Sequence, residues 1–165
     1  MTVRLRPLSL LDVTPTYVGW MNHPDVTRYL IAGHSPQTAE SVRAFVASLL
    51  WPDAAGFAIE VDGQMVGTIC LRHIDWISRV AEVGILVGEV SVWHTGVALQ
   101  ALSDLSRYAF DVLRLRRLWA GTCNPRCGAL FAKAGWTLEG TQPSHVFLCG
   151  GWHDHWLYGR SAGGG

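Results

Sequence analysis

Lysine is nearly absent from this chain: twelve of its thirteen basic residues are arginine, and Lys133 is the single lysine. Acidic residues also number 13, so the formal net charge is zero. A nucleic-acid binder needs a basic face to displace counterions from phosphates, and a polybasic membrane-surface segment needs clustered Lys and Arg. Neither a nucleic-acid nor a membrane partner is therefore expected. Charged residues make up 16% of the chain against 49% hydrophobic, which excludes a disordered polymer. Long apolar runs are also missing. No stretch reaches the ~18 uncharged apolar residues of a membrane span. Asp12 interrupts the N-terminal apolar stretch, so no signal peptide is read there and a cytoplasmic protein is expected.

Cysteines are few, at Cys70, Cys123, Cys127 and Cys149. The Cys123/Cys127 pair straddles Asn124-Pro125 with a spacing unlike a zinc knuckle. His153-Asp154-His155 has no second ligand pair nearby in sequence, so no metal site is expected. Buried, reduced thiols in a reducing compartment are the simplest reading.

What is present is a chain of 165 residues, the size of one domain. At this size roughly two-thirds of the unfolded surface is buried, enough for a full core. Eight tryptophans and 18 glycines stand out. Tryptophan in such number fills a core, lines a ligand groove or builds an interface.

Val3 and Leu5 alternate with Arg4 and Arg6, a half-buried strand. A short helix follows over about 12–21, broken at His23-Pro24-Asp25. Ser35-Pro36 reads as the start of a second helix carrying Val42, Phe45, Val46 and Leu49 on one face, ended by Trp51-Pro52-Asp53. Strands at 57–61 and 65–71 flank Asp62-Gly63, a hairpin signal, and a third strand covers 79–87. The longest helix is expected from Val97 to about Leu113. A strand at 117–123, a short helix from Asn124 to Ala134, and strands at about 136–141 and 145–158 complete the chain. The order is that of an α/β domain with a mixed sheet and helices on both faces.

Residues 81–110 carry the most chemistry. An apolar strand runs through Gly88 into Trp93-His94-Thr95-Gly96-Val97-Ala98 and then into the long helix. Small residues at such a junction let a ligand approach the backbone, and the first helical amides offer it a positive dipole end. That is a phosphate-binding arrangement, although Gly96 alone also fits an ordinary helix start.

This segment resembles the cofactor loop of the GNAT superfamily of acyl-CoA N-acetyltransferases, Arg/Gln-x-x-Gly-x-Gly/Ala, which a subgroup writes Trp-Gly-Lys-Gly-x-Ala. Trp93, Gly96 and Ala98 match, while His94 and Thr95 replace Gly-Lys. Residues 121–140 are similar to a second signature, Asn-x-x-Ser…Glu-Lys-x-Gly-Phe-x-x-Glu-Gly. Asn124, Lys133, Gly135, Glu139 and Gly140 match; Cys127 and Trp136 replace the serine and phenylalanine. Asp154 and Tyr158 are similar to the subgroup's Gly-x-x-x-Asp-x-x-x-Tyr ending. The resemblance spans nearly the whole chain.

The resemblance implies a mixed, mostly antiparallel sheet of about seven strands flanked by four helices on both faces. Residues 1–160 form a single acyl-CoA N-acyltransferase domain, with 161–165 a flexible Gly-rich tail. It further implies acetyl-CoA as co-substrate, lying in a wedge where two strands splay. Its expected contacts are Val83, Ile85, Leu86 and Val87 on the strand edge, Trp93, His94, Thr95, Gly96, Val97 and Ala98 on the loop and helix, and Asn124 and Phe131. The acceptor amine attacks the thioester directly, without an acyl-enzyme. Glu82 aligns with a strand glutamate that histone-type members use as base. Phe131 stands where many members carry a tyrosine that donates to the leaving thiolate, and a phenyl ring cannot donate.

On the acceptor side, GWMNHPDVTRYL resembles a stretch of two subgroups, one acting on ribosomal-protein N-termini and the other on nucleotide-linked amino sugars. Trp20, Asn22, Asp25, Tyr29 and Trp76 are the expected acceptor wall. HIDWISRVAEVGILVGE and RYAFDVLRLRRLWAG favour the sugar group, although Gln142-Pro143-Ser144 replace its usual arginine. A small-molecule amine is therefore the expected partner. A protein N-terminus and a non-catalytic acyl-CoA-binding module remain alternatives. Trp152 and Trp156 fit either substrate stacking or a homodimer seam.

Overall fold

The computed structural model describes residues 1–163. The last two residues of the expected Gly-rich tail, 164 and 165, lie outside the described residues. Seven strands form one sheet: β1 (Val3–Pro7), β2 (Ala55–Val61), β3 (Gln64–Asp75), β4 (Val80–Val87), β5 (Arg117–Thr122), β6 (Thr137–Leu148) and β7 (Gly151–Ser161). Their order is β1-β2-β3-β4-β5-β7-β6. Every neighbouring pair is antiparallel except β4 and β5. The expected mixed, mostly antiparallel sheet is therefore present. The helices are α1 (Pro15–Trp20), α2 (Pro24–Thr27), α3 (Ala39–Ser48), α4 (Val97–Arg107) and α5 (Pro125–Lys133).

Local chemistry accounts for most boundaries. Asp62 and Gly63 both have positive φ, 50° and 83°, as a type I′ hairpin requires. The second helix begins at Ala39 and not at Ser35-Pro36. Thr38 Oγ1 accepts from the Ser41 amide and Ser41 Oγ accepts from the Thr38 amide, a reciprocal cap that starts the helix there. Pro24 does more than break the first helix: it opens α2, a single turn capped by His23. The long helix keeps α geometry to Arg107 and widens into a π turn over Tyr108–Val112, closed by the Leu113 amide on Tyr108 O at 3.1 Å.

The last hairpin turns at Cys149-Gly150, with φ of 51° and 75°, and not at 142–144. Gln142-Pro143-Ser144 instead form a bulge inside β6, where Ser144 has φ 48° and its amide donates to Asp154 Oδ1. β6 is an edge strand and Pro143 falls in its unpaired bulge, so its missing N–H costs no ladder hydrogen bond. β7 runs through Ser161, and the Ala162 amide donates to Arg116 O, so the tail is held beyond residue 160.

Two cores cover the two faces of the sheet. On one face Val97, Ala101, Leu102 and Leu105 of α4 pack with Leu71, Ala81, Val83 and Leu118, and α5 adds Phe131. On the other, Tyr17, Trp20, Val26, Val42 and Val46 from α1–α3 enclose a smaller core against Leu86 and Trp93. Strand alternation divides β4 between them: Ala81 and Val83 face α4, while Glu82, Gly84 and Leu86 face the α1–α3 side.

An ion-pair cluster ties β1 to the loop before α1. Arg6 donates to Asp12 through both terminal nitrogens, at 3.0 and 2.7 Å, and through Nε to Glu60 at 2.6 Å. The guanidinium holds the Asp12 carboxyl below its ordinary value. A depressed carboxylate pKa adds stability above the unfolded value, which is lost as pH falls through the folded one. Arg6→Ala should therefore cost about 2 kcal/mol at neutral pH, the scale of hydrogen bonds to a charged group. The difference should shrink below about pH 4, as Asp12 protonates. Urea denaturation at both pH values checks this, and a pH-independent difference would contradict the assignment.

Candidate active site

β4 and β5 run parallel but pair only at Val80–Arg117, Ala81–Leu118 and Glu82–Trp119. Beyond Glu82 they part, which leaves the Val83–Val87 edge of β4 without a partner on that side. A cleft of about 890 Å³ fills the gap. Its walls are the β4 edge, the loop into α4, the end of β5, the start of α5, the α2 region and β7.

Of the expected cofactor contacts, Val83, Ile85, Leu86, Val87, Trp93, His94, Gly96, Val97, Ala98, Asn124 and Phe131 all line this cleft. Gly96 is left-handed, φ 92°, and caps α4 without a side chain, so the first helical amides stay open. The Trp93 indole donates to Val87 O at 2.9 Å, and the Arg126 guanidinium lies 5.1 Å from its ring. That stack joins the loop after β4 to the first turn of α5 across the cleft mouth. Asn124 caps α5, its Oδ1 accepting from the Arg126 amide at 3.0 Å. Thr95 is outside the cleft, because its hydroxyl turns back to Val92 O. Phe131 is a core aromatic, with ring centroids 4.9 Å from Trp136 and 5.5 Å from Tyr158.

Glu82 stands on the cleft wall as expected, yet both its oxygens are engaged. Oε1 accepts from Arg72 Nη2 at 2.9 Å, and Oε2 lies 2.8 Å from His73 Nδ1. Its side chain is 15% exposed. Arg72 Nε is buried without a partner among the described residues.

The expected acceptor wall divides. Asp25 and Tyr29 line the cleft. Trp20 and Asn22 do not. The Trp20 ring is a core element lying against Gly88, where an added Cβ would come within 2.1 Å of it. The Asn22 amide clamps the loop before α3, donating to Val18 O and Gln37 O and accepting from the Gln37 amide. Trp76 is also elsewhere: it stacks edgewise on Trp51 and donates to Pro52 O at 3.0 Å. In their place the fold brings Arg28, Arg72, Cys123, Val146 and His155 to the cleft. Sequence spacing gives no signal for these, because sheet pairing assembles them from separate strands and turns. His153 and His155 do not act as a pair: His153 Nε2 bonds Leu148 O, and His155 Nδ1 bonds Gln142 Oε1.

Burial pushes the thiols of Cys123 and Cys127 up, so both stay protonated near neutral pH. These cleft-lining thiols are therefore not activated nucleophiles, which suits direct transfer between two bound substrates. The open α4 amides suit a pyrophosphate, and the free β4 edge suits an amide-containing arm. The residues present thus fit acetyl-CoA.

Comparison with known proteins agrees. The acetyltransferase (GNAT) domain matches residues 2–137. Spermidine N(1)-acetyltransferase of Escherichia coli (strain K12) is 26% identical over 152 residues, covering 90% of this chain and 80% of that protein. The crystal structure of Vibrio cholerae spermidine N-acetyltransferase in complex with CoA and spermine superposes with a TM-score of 0.86 at 19% identity, over 98% of this chain and 96% of that one. RimL, a ribosomal L7/L12 alpha-N-protein acetyltransferase in complex with CoA, also gives 0.86, at 22% identity over 100% and 97%. The parted strands, the open helix cap and the domain match converge: the chain belongs to the GNAT acetyltransferase family and is an acetyl-CoA-dependent acetyltransferase.

Proposed function

We propose that the cleft transfers acetyl from acetyl-CoA to the primary amine of a small neutral or anionic acceptor, and that a nucleotide-linked amino sugar is the best chemical fit. The observation that carries this reading is the charge of the walls. Arg28, Arg72, Arg126 and Lys133 line the cleft, against the carboxylates Asp25 and Glu82. Arg72 and Glu82 pair with each other, which leaves Arg28, Arg126 and Lys133 against Asp25. A polycation such as spermidine would meet net positive charge there, whereas a pyrophosphate-bearing acceptor would find guanidinium forks.

In this reading the β4 edge and the α4 amides position the co-substrate, and Trp93 with Arg126 closes the mouth over it. The amine enters from the Asp25–Tyr29 side, past Arg28. The Arg28 guanidinium lies 5.6 Å from the Tyr29 ring, which fixes both side chains at that entrance. All four cysteines are free, which fits a reducing, cytoplasmic setting. The exposed Phe147–Trp152 ring pair, 5.1 Å between centroids, is an apolar feature that a homodimer would cover.

CoA thiol release tests the acceptor class on three amines: a nucleotide-linked amino sugar, a short peptide with a free N-terminus, and spermidine. The sugar should lead spermidine by at least about tenfold in kcat/KM, one like-charge contact's worth. Spermidine as the fastest acceptor would overturn the charge argument. The peptide as the fastest would establish the N-terminal alternative, which rests on the fold shared with RimL.

A further inference from the structure

An ammonium group cannot attack a thioester until it loses a proton. Glu82 is poorly placed to receive one, because protonation would weaken its contacts to Arg72 and His73. A second titratable side chain stands on the same face of the sheet. Glu82 pairs with Trp119 across β4–β5, and Trp119 with Gly159 across β5–β7. Strand alternation then puts Gly84, Gly121, Leu157 and His155 on Glu82's face. The His155 ring lies over the bare Cα of Gly121. A Cβ there would come within 2.4 Å of Cε1 and 2.7 Å of Nε2.

The imidazole is also fixed in its tautomer. Gln142 Oε1 lies 2.8 Å from Nδ1 and, as an acceptor, requires N–H there. Nε2 then keeps its lone pair, at the edge of the ring beside Gly121, and both residues line the cleft. The bulge at 142–146 is what brings Gln142 opposite His155. His145 stacks on the other side, with ring centroids 5.5 Å apart.

We infer that His155 Nε2 is the general base that takes the proton from the acceptor's ammonium group, and that Gln142 and Gly121 position it. The inference rests on the acetyltransferase reading of the cleft. The freed amine forms the N–C bond at the thioester carbonyl, and the C–S bond breaks with its electron pair on sulfur. The second amine proton neutralises that thiolate, and the proton on His155 passes to water. Two titratable groups, His145 and Glu82, bear on the ring. Burial and the neighbouring His145 lower the imidazole's pKa below the ordinary histidine value, and Glu82 opposes them. His155 is therefore neutral and basic near pH 7, and the Glu82 carboxylate stabilises the imidazolium that forms.

Steady-state kinetics against pH test this, using the fastest amine of the three-member panel. In the wild type, kcat/KM should fall on the acid side with one proton. His155→Gln should lower kcat by about 100-fold, leave the acetyl-CoA KM within about twofold and abolish the acid limb. Gln142→Leu, which frees the ring, should give a smaller loss with a moved acid limb. Glu82→Gln should lower turnover without weakening acetyl-CoA binding. Histidine Cε1–H NMR supplies an arm that needs no acceptor. The resonance missing from His155→Gln should titrate below about 6.5 in the wild type, and lower still in Glu82→Gln. An unchanged kcat in His155→Gln, a persisting acid limb, or a midpoint at or above the ordinary value would overturn the assignment. Silence of all three amines would count against the acceptor reading instead and leave the NMR arm to decide on His155.

Discussion

Gly96→Glu should abolish the protection that acetyl-CoA gives the fold against heat. Gly96 caps α4 in a left-handed conformation, φ 92°, and nothing lies within 4 Å of where a Cβ would stand. The substitution therefore meets no clash, and its folding cost is the backbone strain of about 1–2 kcal/mol. A carboxylate at a helix N-terminus recovers part of that by favourable interaction with the dipole. The same carboxylate occupies the position that the open amides offer to a pyrophosphate. A ligand at about 100 times its Kd raises folding stability by about 2.7 kcal/mol, and in the variant that increment should vanish. Thermal unfolding with and without acetyl-CoA reads it directly. A variant protected as well as the wild type would remove the α4 cap from the cofactor site.

The second large effect is on the fold. Gly88 follows β4 directly, its amide donating to Val66 O at 2.9 Å, and the Trp20 ring covers its Cα. A Cβ at 88 would lie 2.1, 2.3 and 2.5 Å from three atoms of that ring. Trp20 is buried among Tyr17, Val26 and Val46 and cannot move without opening the smaller core. Gly88→Ala should therefore cost about 3 kcal/mol, the upper range for overpacking. Because the same core carries the α2 region that lines the cleft, the acceptor KM should rise as well. Gly19→Ala is the control: it lies inside α1 with nothing within 4 Å of its Cβ, and should be neutral or slightly stabilising. Denaturant midpoints of the three proteins test the pair, and equal effects at 88 and 19 would contradict the packing account.

The element order and the cofactor side were largely legible in the sequence, because both are local. Alternation marks β1, Asp62-Gly63 marks the β2–β3 hairpin, and the glycine before an amphipathic helix marks an anion site. Two errors came from signals that are ambiguous within a few residues. Ser35-Pro36 looks like a helix start, but the reciprocal cap of Thr38 and Ser41 lies three residues on. Gln142-Pro143-Ser144 looks like a turn, yet an edge strand absorbs it as a bulge.

The acceptor side was less legible, for a different reason. Trp20, Asn22 and Trp76 are the residue types of a binding wall, but the chain spends them on a core, a loop clamp and a Trp51 contact. Arg28, Arg72 and His155 reach the cleft through pairing between segments far apart in sequence, which no periodicity records. The zero net charge of the whole chain concealed a local imbalance of cations over free carboxylates within one cleft.

The central claim is that this cleft passes acetyl straight from a thioester to an amine without an enzyme-bound acetyl group. Rapid-quench mass spectrometry of protein, acetyl-CoA and the best amine tests it most directly. The account predicts one N-acetylated amine for each CoA thiol released, with the protein mass unchanged at every time point. An acetylated protein that forms before the product and decays into it, or thiol release without an amide product, would contradict it.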